Sequence, residues 1–257
     1  MNVTSADGTA IHFEQRGSGA PVILVGGAFN DRTTVAGLAE VLAGDFTTIA
    51  YDRRGRGDSG DSAEYAMERE IEDLAALIAH VGGTASVFGH SSGAVLALEA
   101  AAAGIGIDRV VAYEPPYATD EHPRADVVDE VRAQLAVGDR NGAVATFLQV
   151  AGTPAEMIEG MKSAPVWGWF TALAHTLPYD LTIVGPDARP RASLARISIP
   201  ALVIGGGASD EALRSGARAA AAAVPGARHE TLAGQDHGVL QFPETLKDPL
   251  TDFLKRA

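Results

Sequence analysis

Four short runs are apolar almost without a break: Pro21–Val25 (PVILV), Ala85–Phe88 (ASVF), Arg109–Tyr113 (RVVAY) and Ala201–Ile204 (ALVI). A strand with one wet face alternates apolar and polar residues. Runs that do not alternate are strands covered on both faces, as in a parallel sheet. Thr47–Tyr51 (TTIAY) and His229–Leu232 (HETL) add two more strand-like segments. Turn residues close these runs, among them Gly26-Gly27, Asp52, Gly89, Glu114-Pro115-Pro116 and Gly205-Gly206-Gly207. Helical spacing fills the gaps. Arg32–Ala43 repeats Val35, Leu38, Ala39 and Leu42, and Glu68–Val81 repeats Ile71, Leu74, Ala75 and Ile78. Ser92–Ala103 is small and apolar nearly throughout, as a helix buried beneath a site would be. Residues 3–16 alternate around Asp7-Gly8 and read as an antiparallel hairpin at one edge. The pattern predicts an α/β protein with a doubly wound, mostly parallel eight-stranded sheet flanked by helices.

The alternation pauses between Tyr117 and Pro190. Only helical patterns appear there, at Ala125–Val137, Gly142–Ala151, Pro154–Lys162 and Trp167–Thr176. Ile199-Pro200-Ala201 then resumes the strand pattern. Residues 1–116 and 191–257 are therefore expected to form the core, with 117–190 as a helical cap or lid insertion. A chain of 257 residues is suited to one such domain.

Composition narrows the function classes. The net charge of −13 repels nucleic acid phosphates and anionic lipid. Apolar runs such as Val95–Ala103 are too short to span a bilayer. The polar N-terminus lacks the pattern of a signal peptide, so the expected compartment is the cytoplasm. With no cysteine, thiolate nucleophiles, disulfides and cysteine-held metals are excluded. The expected partner is a small-molecule substrate, with neither nucleic acid nor membrane, in a monomer or homodimer.

Gly89-His90-Ser91-Ser92-Gly93 fits G-x-S-x-G. It follows a predicted strand and opens a predicted helix, which is the context this motif requires. The sharp turn exposes the Ser91 hydroxyl at the top of the sheet. Glycines two residues to either side let backbones approach closely, and the following helix aims its first amides at a developing oxyanion.

On these residues the chain resembles the α/β-hydrolase superfamily over nearly its whole length. Leu24-Val25-Gly26-Gly27-Ala28-Phe29 resembles the family's oxyanion loop, with Gly26-Gly27 where a His-Gly pair is usual. The resemblance implies the amides of Ala28 and Ser92 as oxyanion donors. Asp52-Arg53-Arg54-Gly55-Arg56-Gly57-Asp58-Ser59-Gly60 resembles the family's D-x-R-G-x-G-x-S turn, read as structural and without chemistry. Gly234-Gln235-Asp236-His237 resembles the loop that carries the catalytic histidine.

A serine hydroxyl needs a base. Of seven histidines, His237 alone follows the last strand in the chain order serine, acid, histidine. His12, His80, His90 and His229 read as surface or packing residues, while His122 and His175 fall in the insertion, where either could line a pocket. The acid has two candidates. Asp210 follows the strand where the family most often places it, but the family's position falls on Ser209, one residue earlier. Asp210 could equally cap a helix starting near Glu211. Glu114 directly follows the strand Arg109–Tyr113, where a minority of the superfamily, including lactonases resembling the zearalenone hydrolases, carries a glutamate acid. Glu114 is the preferred reading and Asp210 the alternative.

The expectation is a serine esterase or lactonase, with no cofactor and no metal, acting on a small apolar metabolite. Phe29, Trp167 and Trp169 are candidate pocket residues. Two alternatives stay open: a cofactor-free haloperoxidase-like perhydrolase, and a non-hydrolytic small-molecule-binding member of the fold. Serine at the elbow argues against dehalogenase or epoxide-hydrolase chemistry, which the family performs with an aspartate there.

Overall fold

Each uninterrupted apolar run is a strand at the centre of one sheet. The structure is a computed structural model and describes residues 1–62, 64–118 and 125–256. The strands are β1 (Asn2–Thr4), β2 (Ala10–Arg16), β3 (Pro21–Val25), β4 (Thr47–Tyr51), β5 (Ala85–His90), β6 (Ile107–Tyr113), β7 (Ala201–Gly206) and β8 (Arg228–Leu232). They form an eight-stranded sheet in the order β1-β2-β4-β3-β5-β6-β7-β8. β1 and β2 form an antiparallel hairpin, β2 pairs antiparallel with β4, and the remaining pairs are parallel.

Both faces of the sheet are covered. On one side α1 (Arg32–Leu42) and α10 (Glu244–Leu254) bring Leu38, Leu42, Leu246 and Leu250 against Val22, Leu24, Phe88, Val111 and Leu202. On the other, α2 (Met67–His80), α3 (Ser92–Ala103) and α9 (Glu211–Ala223) pack Leu74, Leu77, Leu98 and Ala217 against Ile23, Val25, Val87, Ala112 and Val203. Successive strand residues point to opposite faces, so Val110 and Ala112 join one core cluster while Val111 and Tyr113 join the other. That division is the reason the runs do not alternate in polarity.

Between β6 and β7 the chain forms α4 (Ala125–Ala136), α5 (Arg140–Val150), α6 (Ala155–Met161), α7 (Pro165–Leu173) and α8 (Leu177–Val184). These helices pack in a third cluster, built on Val131, Val144, Leu148, Trp167, Leu177 and Leu181, which Phe29 of the loop after β3 also joins. The first four lie where helical spacing predicts them. The spacing does not reveal α8, which carries Pro178 in its first turn. A proline in a first turn removes an amide that the helix start does not use. α8 packs on both sides: Leu177 and Leu181 lie in the cluster of these helices, Ile183 and Val184 in that of the sheet.

The parallel strands end together. β3 and β5 are neighbours, although β4 lies between them in sequence. Connections therefore leave in opposite directions at their carboxyl ends, and the crevice this opens is the usual place for a ligand in an open α/β sheet. Register carries the alignment outward: Val25 pairs with Gly89, His90 with Tyr113, and Tyr113 with Ile204.

Candidate active site

Ser91 is the first residue beyond β5, and Glu114 the first beyond β6. The Ser91 amide donates to Tyr113 O at 2.9 Å, and the Glu114 amide to Ile204 O at 2.9 Å, which sets the two side by side at the sheet's edge. Both have positive φ, 58° for Ser91 and 46° for Glu114, as does Phe29 at 58° in the loop after β3. Three of the four non-glycine residues of positive φ among the described residues thus meet in one place. Strain of this kind persists only where surrounding structure holds it, and it gathers at functional sites. The elbow has no room for side chains at its ends. A Cβ on Gly89 would lie 2.2 Å from Gly93 O, and one on Gly93 would lie 2.5 Å from Val25 O.

The third residue comes from the loop after β8. His237 Nε2 lies 3.1 Å from Ser91 Oγ, and His237 Nδ1 lies 2.7 Å from Glu114 Oε2. With the proton on Nδ1 donated to Glu114, Nε2 is free to accept from the serine hydroxyl. The Glu114 side chain is fully buried, while His237 is 39% exposed. Glu114 Oε1 accepts the Gly206 amide at 2.7 Å, so each carboxylate oxygen has a donor. Burial alone would raise this carboxyl. Burial is the largest single influence, but His237, the Ser209 hydroxyl and the Gly206 amide together outweigh it, and the pKa is held below the ordinary 4.5. Ser209 is buried beside the same carboxylate, and its hydroxyl acts in the same direction. The loop carrying His237 is fastened from below: His90 Nε2 donates to His237 O at 2.9 Å, and Tyr113 Oη to Asp236 O at 2.7 Å.

Asp210 stands elsewhere in the chemistry of the fold. It is exposed at the start of α9, where its carboxylate accepts the Leu213 amide at 2.9 Å. Ala28 and Ser92 are brought beside Ser91. A Cβ on the intervening Gly27 would come within 2.8 Å of Ser91 Cβ. Ser92 opens α3, so its amide is among those a helix leaves unpaired. Phe29 is buried against Phe170 and Phe147, at ring distances of 4.3 and 5.3 Å. Trp169 is 40% exposed and donates its indole N–H to Phe29 O at 2.7 Å. Trp167 is buried inside the insertion's cluster, with its indole N–H on Asn141. His175 is bonded to Gly55 O, and His122 lies outside the described residues. Among the described residues, no group of three or more His, Asp or Glu side chains is arranged to hold a metal ion. An open groove between α1 and α10, lined by Gly37, Glu40, Pro243 and Lys247, contains none of the residues named above.

The arrangement has the form of a nucleophile, a base and an orienting acid, with two amides beside the nucleophile. Comparison with known proteins identifies the family. The alpha/beta hydrolase family description matches residues 17–248. The chain belongs to the alpha/beta hydrolase family. A solved alpha/beta hydrolase from Sphaerobacter thermophilus is 49% identical, covers 99% of this chain and 100% of its own, and superposes with a TM-score of 0.92. An uncharacterised hydrolase of Bacillus subtilis, YraK, is 38% identical over 96 residues, 36% of this chain and 35% of that protein. A non-heme haloperoxidase of Rhodococcus erythropolis is 34% identical over 94 residues, 35% of this chain and 34% of that protein. The chain therefore matches about a third of the length of these curated relatives. Membership of this family supports a hydrolase function. Among the described residues, no helix is long and apolar enough to cross a membrane.

Spacing missed the three arginines after β4. All are buried: Arg53 and Arg56 are 1% exposed and Arg54 not at all. Arg54 pairs with Asp73 of α2 and with Asp7, while Arg53 and Arg56 converge on Asp180 of α8.

A pH effect follows from His90. Burial, then the neighbouring His237, pushes its pKa from the ordinary 6.5 down to about 3. Its Nδ1 is buried without a partner, so a second ring proton would have no acceptor. The folded state therefore refuses a proton that the unfolded state takes up below pH 6.5, and stability is lost as pH falls from there toward 3. The expected contribution approaches about 1.4 kcal/mol per pH unit in that window. Denaturant titrations at pH 7, 6 and 5 should show a shallower acid loss for His90→Gln than for wild type. Equal slopes would show that His90 does not carry it.

Proposed function

We propose that this chain is a serine carboxylic ester hydrolase of the esterase or lactonase type, acting on a small apolar substrate. One observation carries the reading: the unbroken hydrogen-bonded chain from Ser91 Oγ through His237 to the buried Glu114 carboxylate. His237 takes the hydroxyl proton as Ser91 Oγ attacks the carbonyl. The amides of Ala28 and Ser92 stabilise the tetrahedral oxyanion, and Glu114 stabilises the imidazolium. His237 then protonates the leaving oxygen. Water, deprotonated by the same base, resolves the acyl-enzyme to acid and free serine. Every group in this sequence is a side chain or amide of the chain itself. Phe29 and Phe170, with the half-open Trp169 above them, favour an apolar or aromatic group beside the reacting carbonyl. A net charge of −13 disfavours polyanionic substrates.

The test pairs a fluorophosphonate probe with a series of p-nitrophenyl esters and simple lactones. Covalent label on the Ser91 peptide, together with turnover that rises from acetate to longer or aromatic acyl groups, is expected. An unlabelled chain without turnover would sink the reading.

A second reading has one specific support, the likeness to a haloperoxidase. There hydrogen peroxide in place of water would attack the acyl-enzyme, releasing a peracid that oxidises halide. Halogenation of a reporter in acetate and peroxide at a rate above ester hydrolysis would favour it. The non-hydrolytic reading required a displaced triad member, and the joined triad gives it no support.

A further inference from the structure

Asp180 belongs to α8, which joins the insertion to the core, yet its carboxylate reaches the elbow. Oδ1 accepts from Ser92 Oγ at 2.7 Å and from Arg53 Nη1 at 2.8 Å, and Oδ2 accepts from Arg56 Nη2 at 2.7 Å. The two guanidiniums extend this to the oxyanion loop. Arg53 Nη1 also donates to Gly26 O at 3.3 Å, and Arg56 Nη1 donates to Gly27 O and, at 3.1 Å, to Asn30 O. Glu70 of α2 completes the group, gripping Arg53 through two bonds of 2.6 Å each. Two guanidiniums and two carboxylates make a neutral set, all four side chains 1% exposed or less. Burial would raise the Asp180 carboxyl, but Arg56 and Arg53 hold it below its ordinary value, so it stays charged.

We propose that Asp180 and Arg56 are positioning residues for the oxyanion hole, fixing the Ala28 amide relative to the Ser92 amide. The inference rests on the ester-hydrolase reading. An oxyanion donor works only if it is held where the charge will develop, before it develops. The loop after β3 has two glycines at its start, Gly26-Gly27, and glycine brings no rigidity of its own. Its stiffness is supplied from outside, through three carbonyls that flank Ala28. The bond from Ser92 Oγ ties that brace to the residue whose amide is the second donor. The insertion holds the same loop again where Trp169 donates to Phe29 O. Stability alone is a poor reason for such a cluster, because buried ion pairs are often replaceable by apolar side chains without loss. Fixing one geometry is the better one.

The experiment uses the full chain. Asp180→Asn keeps the shape and removes the charge. Its kcat on an activated ester is expected to fall about 10- to 100-fold, less than deletion of a donor, with KM within about threefold. Affinity for a boronic acid that mimics the tetrahedral intermediate should fall by the same factor as kcat/KM. The midpoint of the kcat/KM pH profile should stay in place, since the triad is untouched. A folded Asp180→Asn with lower Tm but wild-type kcat and boronate affinity overturns the proposal. Should that variant fail to fold, Ser92→Ala removes one hydroxyl and leaves every charge paired. It is expected to lose about three- to tenfold in kcat and in boronate affinity, and wild-type values for both overturn the proposal. A wild type that neither labels nor turns over ester fails the functional reading and takes this inference with it. An active wild type matched by its variants fails this inference alone.

Discussion

Ser91→Ala is expected to lower kcat on an activated ester by about 10⁵- to 10⁶-fold and to abolish fluorophosphonate labelling. The size of the effect follows from what surrounds the residue. The hydroxyl meets the base at 3.1 Å, and its removal leaves His237 with no serine proton to take. The neighbouring Ser92 cannot substitute, because its hydroxyl is buried and donates to Asp180. Alanine meets the same backbone strain at φ 58° as serine does, so the elbow should survive. Circular dichroism and Tm close to wild type, with substrate affinity retained, would locate the loss in chemistry. Residual catalysis above water is expected from the Ala28 and Ser92 amides and from substrate binding. Retention of more than about 1% of wild-type kcat would place the nucleophile elsewhere.

The parts of this site that were legible in the sequence are those tied to the sheet. A parallel strand buried on both faces announces itself, and the residue just past its end is fixed by register. Ser91 after β5 and Glu114 after β6 are found this way, and the glycines of the elbow add a second signal. His237 follows from its place after β8. Arg53, Arg56 and Asp180 carry no such signal. The resemblance marks the three arginines as part of a structural turn, but charged residues are nearly always solvated, so nothing in the sequence signals their burial. Asp180 lies 127 positions from Arg53 and 124 from Arg56 along the chain, and no periodicity links them. The helical patterns read from the sequence end at Thr176, and α8 begins just beyond them. Ser209 shows what counting alone can do: it marks the family's usual acid position, and the structure puts that residue beside Glu114 with a hydroxyl in place of a carboxylate.

That placement makes the acid testable. Glu114→Gln is expected to lower kcat by about 10⁴-fold, while Asp210→Asn stays within about twofold of wild type. The argument is one of hydrogen-bond inventory. Glu114 offers two acceptor oxygens, one to the Gly206 amide and one to His237 Nδ1. Glutamine has a single acceptor oxygen and an NH₂ group. If its oxygen serves Gly206, the NH₂ faces His237 and forces the proton onto Nε2, the atom that must accept from Ser91. If its oxygen serves His237, the buried Gly206 amide faces another donor and the charge that supports the imidazolium is gone. Asp210→Asn changes neither, and asparagine caps a helix as well as aspartate does. A collapse of kcat in Asp210→Asn, with Glu114→Gln active, would reverse the assignment. Adding Ser209→Asp to Glu114→Gln sharpens the test. A Cβ built on Gly206 would meet Ser209 Oγ at 2.7 Å and Glu114 Oε1 at 2.9 Å, so both side chains reach the same spot from adjacent strands. A carboxylate at 209 should therefore return part of the lost kcat, about tenfold or more, from the strand end the family more often uses. Recovery would show that His237 requires a charge at that point in space, whichever strand supplies it.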